Sequence, residues 1–303
     1  MKRNRGSVEK QPARDLIAIG SSAGGTEALQ ALVAHLPPHL PAALLVAQHA
    51  SNSSPGMLPA ILARAGPLAA ALAIDGEPIS HSRIYVAPPD HHLIVKHERL
   101  CVSQGPRESN WRPCVDTLFR SVAVEYSNRA IGVVLSGLLY DGTAGLKFIK
   151  RCGGLAVVQE PQESAFSEMP RSALANVDID YRLSAGQIGL LLGQLAGTTP
   201  PKAPPMPADL VLEASLSADA LEKAAPKIVG NPVTIGCPEC GGPLRETGAG
   251  ELLQYRCHVG HSFSPEALVA GQHEATEHAV GCFANVGRAR FNVNYAGPEI
   301  AAI

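Results

Sequence analysis

The segment Leu16-Ile17-Ala18-Ile19-Gly20-Ser21-Ser22-Ala23-Gly24-Gly25 constrains the fold more than any other part of the chain. A fully apolar run stops at a cluster of glycines and serines, and an amphipathic segment, Thr26 to His35, follows with no spacer. That pattern reads as a buried strand, a tight turn and a helix. It places Ser22 at the carboxyl edge of a sheet, beside a helix N-terminus whose free N–H groups favour developing negative charge. Two further segments repeat the geometry: Ala43-Leu44-Leu45-Val46-Ala47-Gln48 ends in His49, and Ile131-Gly132-Val133-Val134-Leu135 leads to Asp141. Serine, histidine and aspartate are the three parts needed to activate a hydroxyl nucleophile. Taken singly, Ser22 and Asp141 also fit helix caps or turns, and His49 a loop histidine. Their coincidence at one sheet edge is what points to chemistry.

From Asp15 to about Ala196 short apolar runs alternate with helical segments. Strands are expected over 16–19, 43–47, 83–86, 93–95, 100–102, 131–135, 156–159 and 180–183, and helices over 26–35, 56–64, 114–125, 143–152, 172–175 and 185–195. This order predicts an α/β fold of three layers around a mostly parallel, doubly wound, Rossmann-like sheet, with ligands gathered outside the carboxyl ends of the strands. A dinucleotide site is a poor match: that fingerprint needs Gly-x-Gly-x-x-Gly and an acidic residue ending the second strand, and here the second strand ends in His49.

The chain divides into a flexible tail over 1–14, a catalytic domain over 15–196, a proline-rich linker with a short helix near 217–224 over 197–230, a metal-binding module over 231–278 and an irregular tail over 279–303. As polyproline II at about 3.1 Å per residue, the linker's ten central residues would hold what flanks them roughly 30 Å apart. A formal net charge of −2 offers no electrostatic footprint for nucleic acid or an anionic membrane. The start, with Lys2, Arg3 and Arg5, lacks the apolar core of a signal peptide, and no apolar run approaches the roughly 20 residues of a membrane span. A cytoplasmic protein without membrane insertion is the expectation.

Of seven cysteines, Cys101, Cys114, Cys152 and Cys282 are scattered, which is not a disulfide framework. The other three form Cys237-Pro-Glu-Cys240-Gly-Gly and, sixteen residues on, Cys257-His258-Val-Gly-His261. Cys237, Cys240, Cys257 and His261 have the types and spacing of tetrahedral zinc ligands; His258, adjacent to Cys257, would need a cramped chelate. Four protein ligands close the site, so this zinc is structural, in a small ribbon-like module that lacks a sufficient core without it. Partner docking is its expected role.

Six motifs now stand in order: Ile19-Gly-Ser-Ser-Ala-Gly-Gly-Thr-Glu-Ala28, Val46-Ala-Gln-His49, Ile84-Tyr-Val-Ala-Pro-Pro-Asp90, Arg112-Pro-Cys-Val-Asp116, Leu135-Ser-Gly-Leu-Leu-Tyr-Asp-Gly-Thr-Ala-Gly145 and Met169-Pro170. Over roughly 15–196 the chain resembles the catalytic domain of CheB-type protein-glutamate methylesterases. The resemblance implies hydrolysis of glutamate γ-methyl esters, with glutamine deamidation by the same path, in chemotaxis or related sensory signalling. Ser22 corresponds to the nucleophile, His49 to the general base and Asp141 to the acid that orients it, with the oxyanion held by backbone N–H groups at Ala23 and Leu138. No cofactor is implied for catalysis, and the implied substrate is a methylated chemoreceptor or other sensory protein. Relatives often carry an N-terminal receiver domain; fourteen residues leave no room for one here, which resembles the stand-alone branch. Ser21-Ser22-Ala23 stands where the family has Ala-Ser-Thr, adding a second hydroxyl, and Leu138-Leu139-Tyr140 replaces Met-Gly-Asn. Of these, Leu139 and Tyr140 are the features that would suit the alternative, a catalytically weak adaptor that binds a sensory protein and recruits a partner through the zinc module. Arg112 and Asp116 fit either a cleft lining or a surface pair, His91 and His92 a turn, and Cys114 a small helix residue open to modification.

Overall fold

The computed structural model describes residues 12–50, 54–221, 230–247 and 253–293. The first part runs β1 (Leu16–Ser21), α1 (Gly25–Val33), β2 (Ala43–Gln48), α2 (Leu58–Ala65), β3 (Ala69–Leu72), β4 (Arg83–Val86), β5 (His92–Lys96), β6 (Arg99–Ser103) and α3 (Val115–Tyr126). It continues with β7 (Ala130–Val134), α4 (Thr143–Arg151), β8 (Leu155–Gln159), α5 (Glu168–Asn176), β9 (Tyr181–Leu183) and α6 (Ala185–Leu195). Seven of these strands form one sheet in the order β3-β4-β2-β1-β7-β8-β9. Every pairing in it is parallel.

The strands are apolar on both faces because both are covered. Ile17, Ile19, Leu44, Val46, Ile131 and Val133 pack with α1, α2 and α6. Leu16, Ala18, Ala43, Leu45 and Val134 face the other way, onto α3, α4, α5 and the β5–β6 hairpin. The expected three layers are present. β3, an edge strand reading Ala-Ala-Ala-Leu, went unanticipated because three alanines carry little strand signal. β1 sits between β2 and β7, so the chain leaves it toward one side of the sheet and returns on the other, opening a crevice at their carboxyl ends.

The proline-rich stretch is not a free spacer. The Pro201 carbonyl accepts a 2.6 Å hydrogen bond from Asn128, Pro204 lies against Gly153, and Met206 packs on the core. It leads into α7 (Ala208–Leu221), nine residues earlier than the expected short helix, whose Leu210 is fully buried in the same core. An apolar anchor outweighs the local proline signal here; residues 222–224 of the expected helix lie outside the described residues.

Next come four antiparallel strands, β10 (Asn231–Gly236), β11 (Pro243–Thr247), β12 (Gln254–Cys257) and β13 (Ser262–Phe263), and then α8 (Pro265–Val293). Leu244, Phe263, Ala267 and Leu268 form a small core with Cys237 and Cys257. α8 continues fifteen residues beyond 278, where the glycines and asparagines suggested an irregular tail; such residues each weaken a helix by only about 1 kcal/mol or less and do not stop one that is already nucleated. Of the expected tails over 1–14 and 279–303, residues 1–11 and 294–303 lie outside the described residues. Among the described residues no helix is long and apolar enough to cross a membrane.

Candidate active site

Ser22 follows β1 directly and is buried. It does not cap α1, whose N-cap is Gly24, with no side-chain hydrogen bond there. Its backbone is fixed from three sides: its N–H donates to Ser136 (2.9 Å), and its carbonyl accepts from the Gly25 N–H (2.9 Å) and from Gln48 Nε2 (2.6 Å). The neighbouring hydroxyl is committed elsewhere, because Ser21 Oγ donates to Gln48 Oε1. Only Ser22 presents its Oγ to His49, at 3.1 Å from Nδ1.

His49 follows β2 and is buried; its Nε2 lies 2.7 Å from Asp141 Oδ2. With Asp141 accepting, the ring proton sits on Nε2 and the Nδ1 lone pair is free to take the proton of Ser22. The far face of the imidazole is covered by Trp111, with ring centroids 4.1 Å apart and planes 11° from parallel. Asp141 likewise does not cap the helix that follows it; Gly142 is the N-cap of α4. Instead its carboxylate meets the start of α3, accepting from Val115 N (2.7 Å), Asp116 N (3.0 Å) and Cys114 Sγ (3.3 Å). Burial alone would raise the Asp141 carboxyl, but the hydrogen bond and charge of His49 and the two helix N–H groups outweigh it and hold it below the usual range. α3 can come this close because residue 20 is glycine: a Cβ there would lie 2.1 Å from Val115 Cγ1.

Several sequence expectations need correction. Arg112 and Asp116 do not pair with each other. Arg112 binds Asp90 through Nε and Nη2 (3.0 and 2.7 Å), whereas Asp116 is buried under α4 and accepts from the Gly145 N–H at 2.6 Å. His91 does sit at a turn, but His92 opens β5, fully buried, with Nε2 3.0 Å from the Pro106 carbonyl and Nδ1 accepting from Cys114 N at 3.4 Å. Cys114 is buried, not open to modification: burial and then Asp141 push its thiol well above the ordinary range. The two backbone groups at Ala23 and Leu138 flank Ser22, and no hydrogen bond among the described residues takes up their N–H groups. The segment carrying Leu138 is anchored by Gly137 N to the Phe166 carbonyl (3.0 Å) and Leu139 N to Glu168 (2.8 Å).

Sequence reasoning missed Trp111 and Gln48, and noticed Tyr140 only as a departure from the family pattern. Trp111 is the only tryptophan in the chain and adjoins the Arg112-Pro-Cys-Val-Asp116 motif, the one signal in the sequence that marks it. Tyr140 leaves its own loop and packs in the C-terminal module's core, where its hydroxyl donates to the Glu266 carbonyl.

In that module Cys237, Cys240, Cys257 and His261 converge, their ligand atoms all within 4.8 Å of one another. Cys240 Sγ to Cys257 Sγ is 3.7 Å, and His261 Nδ1 lies 3.6 and 3.4 Å from the sulfurs of Cys237 and Cys257. Tetrahedral zinc at about 2.3 Å from sulfur and about 2.0–2.1 Å from nitrogen would space its ligands roughly 3.5–3.8 Å apart. The donor set fits. His258 stays outside it, against Gly242.

A parallel sheet with serine, histidine and aspartate joined by hydrogen bonds at its carboxyl edge defines the class of α/β serine hydrolases. Within that class the chain belongs to the CheB methylesterase family, whose profile matches residues 17–192. It is 37% identical over 182 residues to a putative protein-glutamate methylesterase/protein-glutamine glutaminase of Leptospira interrogans, covering 60% of this chain and 94% of that one. It is 41% identical over 166 residues to a protein-glutamate methylesterase/protein-glutamine glutaminase of Anaeromyxobacter dehalogenans, covering 54% of this chain and 48% of that longer one. The crystal structure of the Thermotoga maritima CheB methylesterase catalytic domain superposes with a TM-score of 0.58 at 30% identity, over 60% of this chain and 98% of that one.

Proposed function

We propose that the protein hydrolyses γ-methyl esters of glutamate side chains in a partner protein, releasing glutamate and methanol, with Ser22 as nucleophile. The observation that carries this reading is the continuous relay from Ser22 Oγ through His49 to Asp141, at 3.1 and 2.7 Å. Ser22 Oγ attacks the ester carbonyl while His49 Nδ1 takes its proton; Asp141 holds the ring and the positive charge that develops on it. The N–H groups of Ala23 and Leu138 receive the oxyanion, a contribution typically worth ~3–4 kcal/mol per donor. The tetrahedral intermediate collapses, methoxide leaves with the proton from His49, and water then hydrolyses the glutamyl-serine ester by the same relay. A glutamine amide enters the same path and releases ammonia, in line with the double name of the relatives.

The surroundings suit a side chain presented by a folded protein. Leu138, Leu139 and Phe166 expose large apolar surfaces around the serine, and a cavity of about 200 Å³ lined by Met57, Leu58, Leu72 and Pro89 opens beside His49. A methylated chemoreceptor helix is the substrate this reading assigns. Tyr140, a departure that would suit the adaptor alternative, is accounted for by its place in the C-terminal module. In that module Cys237, Cys240, Cys257 and His261 would hold a structural zinc ion, which would order a ribbon too small to fold on apolar burial alone.

Methanol release from a methyl-esterified receptor helix tests the reading. Ser22→Ala lowers the rate by a factor of roughly 10³ or more, whereas Ser21→Ala stays within about tenfold of the unaltered protein. Equal activity in Ser22→Ala would refute it.

A further inference from the structure

The C-terminal module does not stand apart from the catalytic centre. It touches the first part of the chain at several places, and two of them adjoin a member of the triad. Tyr140, next to Asp141, is packed in the module's core. On the other side, Glu108-Ser109-Asn110-Trp111 forms a tight turn: Glu108 and Trp111 exchange backbone hydrogen bonds (2.9 and 3.3 Å), and Ser109 and Asn110 both take positive φ, 50° and 69°, as in a type I′ hairpin. That turn has two opposite exits. Trp111 goes to the face of His49. Glu108 goes to a buried charge network.

The module holds this turn by backbone and by charge. Ser109 N donates to the Ser262 carbonyl at 2.7 Å, Ser262 N reaches the Arg107 carbonyl at 3.4 Å, and α8 passes so close that a Cβ on Gly271 would lie 3.1 Å from Asn110 Nδ2. Glu108 pairs with Arg120 of α3, both buried. Arg256 of β12 acts on the same carboxylate and pairs with Glu213 of α7. Four elements, α3, β12, β13 and α8, therefore converge on one turn.

We infer that the Cys/His module is a built-in positioning element of the esterase: it holds the Glu108–Trp111 turn in place, and Trp111 is the positioning residue through which that hold reaches His49. The inference rests on the reading of His49 as the general base. An indole stacked on one face of the imidazole limits its rotation and keeps Nδ1 aimed at Ser22. When the ring takes the proton of Ser22 it becomes a cation lying on the indole π-face, an attraction that exists only once the proton has moved. The effect is expected in kcat, not in KM.

The full chain provides its own probe, since Trp111 is its single tryptophan and its emission reports on this contact alone. Trp111→Ala lowers kcat for methanol release about tenfold with KM changed less than about twofold, and Trp111→Phe, which restores a stacking ring, recovers most of it. Arg256→Met loosens the hold: emission moves to the red, acrylamide quenches it more strongly, and kcat falls toward the Trp111→Ala value, with no further loss when the two are combined. Arg256→Lys, which keeps the charge, stays nearer the unaltered chain. Unchanged kcat in Trp111→Ala, or a folded Arg256→Met chain with unaltered emission and kcat, overturns the inference. If Ser22→Ala is active the esterase reading falls first, yet the emission arm still decides whether the module holds the turn.

Discussion

A methyl group added at Gly137 would lie 2.0 Å from the sulfur of Met169 and 2.8 Å from Cβ of Ser22. Met169 can swing aside; the Ser22 backbone, pinned by Ser136, Gly25 and Gln48, cannot. Gly137→Ala should therefore cost about 1–3 kcal/mol of stability, seen in urea unfolding, and should lower kcat through displacement of the nucleophile. A variant with unaltered midpoint and rate would show that Ser22 is held less tightly than these contacts imply. At this scale the sequence was most informative where a motif fixed residue type and least where two residues of one type compete. Ser22 could be chosen over Ser21 only by alignment to the glycines, and the physical reason, Gln48 claiming the Ser21 hydroxyl, depends on a cross-strand pair that no local pattern announces. His261 could be preferred to His258 because chelate geometry is local. Cys114 and His92 were misread because their burial comes from α3 and the β5–β6 hairpin folding over them.

α3 is the element on which the site turns. Its N-terminal N–H groups hold Asp141, and Arg120, one turn and a half further along, holds Glu108. Burial alone would push the Glu108 carboxyl up, but Arg120, then Arg256 and His92, outweigh it and keep it below the usual value. A depressed folded pKa means that the ionised pair stabilises the protein above the unfolded value of about 4.5, and that this stability drains away as the pH falls through the lower folded value. Glu108→Gln leaves Arg120 buried without its counter-charge and should cost roughly 3 kcal/mol at neutral pH. In denaturation series the gap between the two proteins should be constant above about pH 4.5 and close below it; a gap that widened on acidification would contradict the assignment. The elements themselves were largely legible, since buried parallel strands are apolar runs bounded by turn residues. The alanine-rich β3 and the Glu108–Trp111 turn were not. The first carries little propensity, and the second is shaped by partners some 150 residues away along the chain.

For the molecule as a whole, the C-terminal module has only a small core of its own, and the proposed zinc is expected to supply the rest of its stability. Native mass spectrometry should find one zinc per chain; Cys257→Ser should lose it and His258→Ala should keep it. Chelation should lower the thermal midpoint of the full chain, because the module that loses its ion also braces the Trp111 turn and Tyr140. Loss of zinc from His258→Ala alone would reassign the fourth ligand. The clustering of Cys237, Cys240, Cys257 and His261 was readable from their types and spacing. The module's docking was not, because a proline-rich stretch looks like a spacer until Leu210 and the Glu213–Arg256 pair fold it back.

That docking also gives the site a history in time. Ser22, His49, Asp141 and Trp111 all belong to the first half of the chain, but the backbone that clasps the Trp111 turn is at Ser262. At synthesis rates of about 5–20 residues per second, the last part of the relay leaves the ribosome roughly 6–24 s before the strand that braces it. The reactive groups are thus synthesised before the segment that clasps the Trp111 turn, and that clasp can close only when the last quarter of the chain is made.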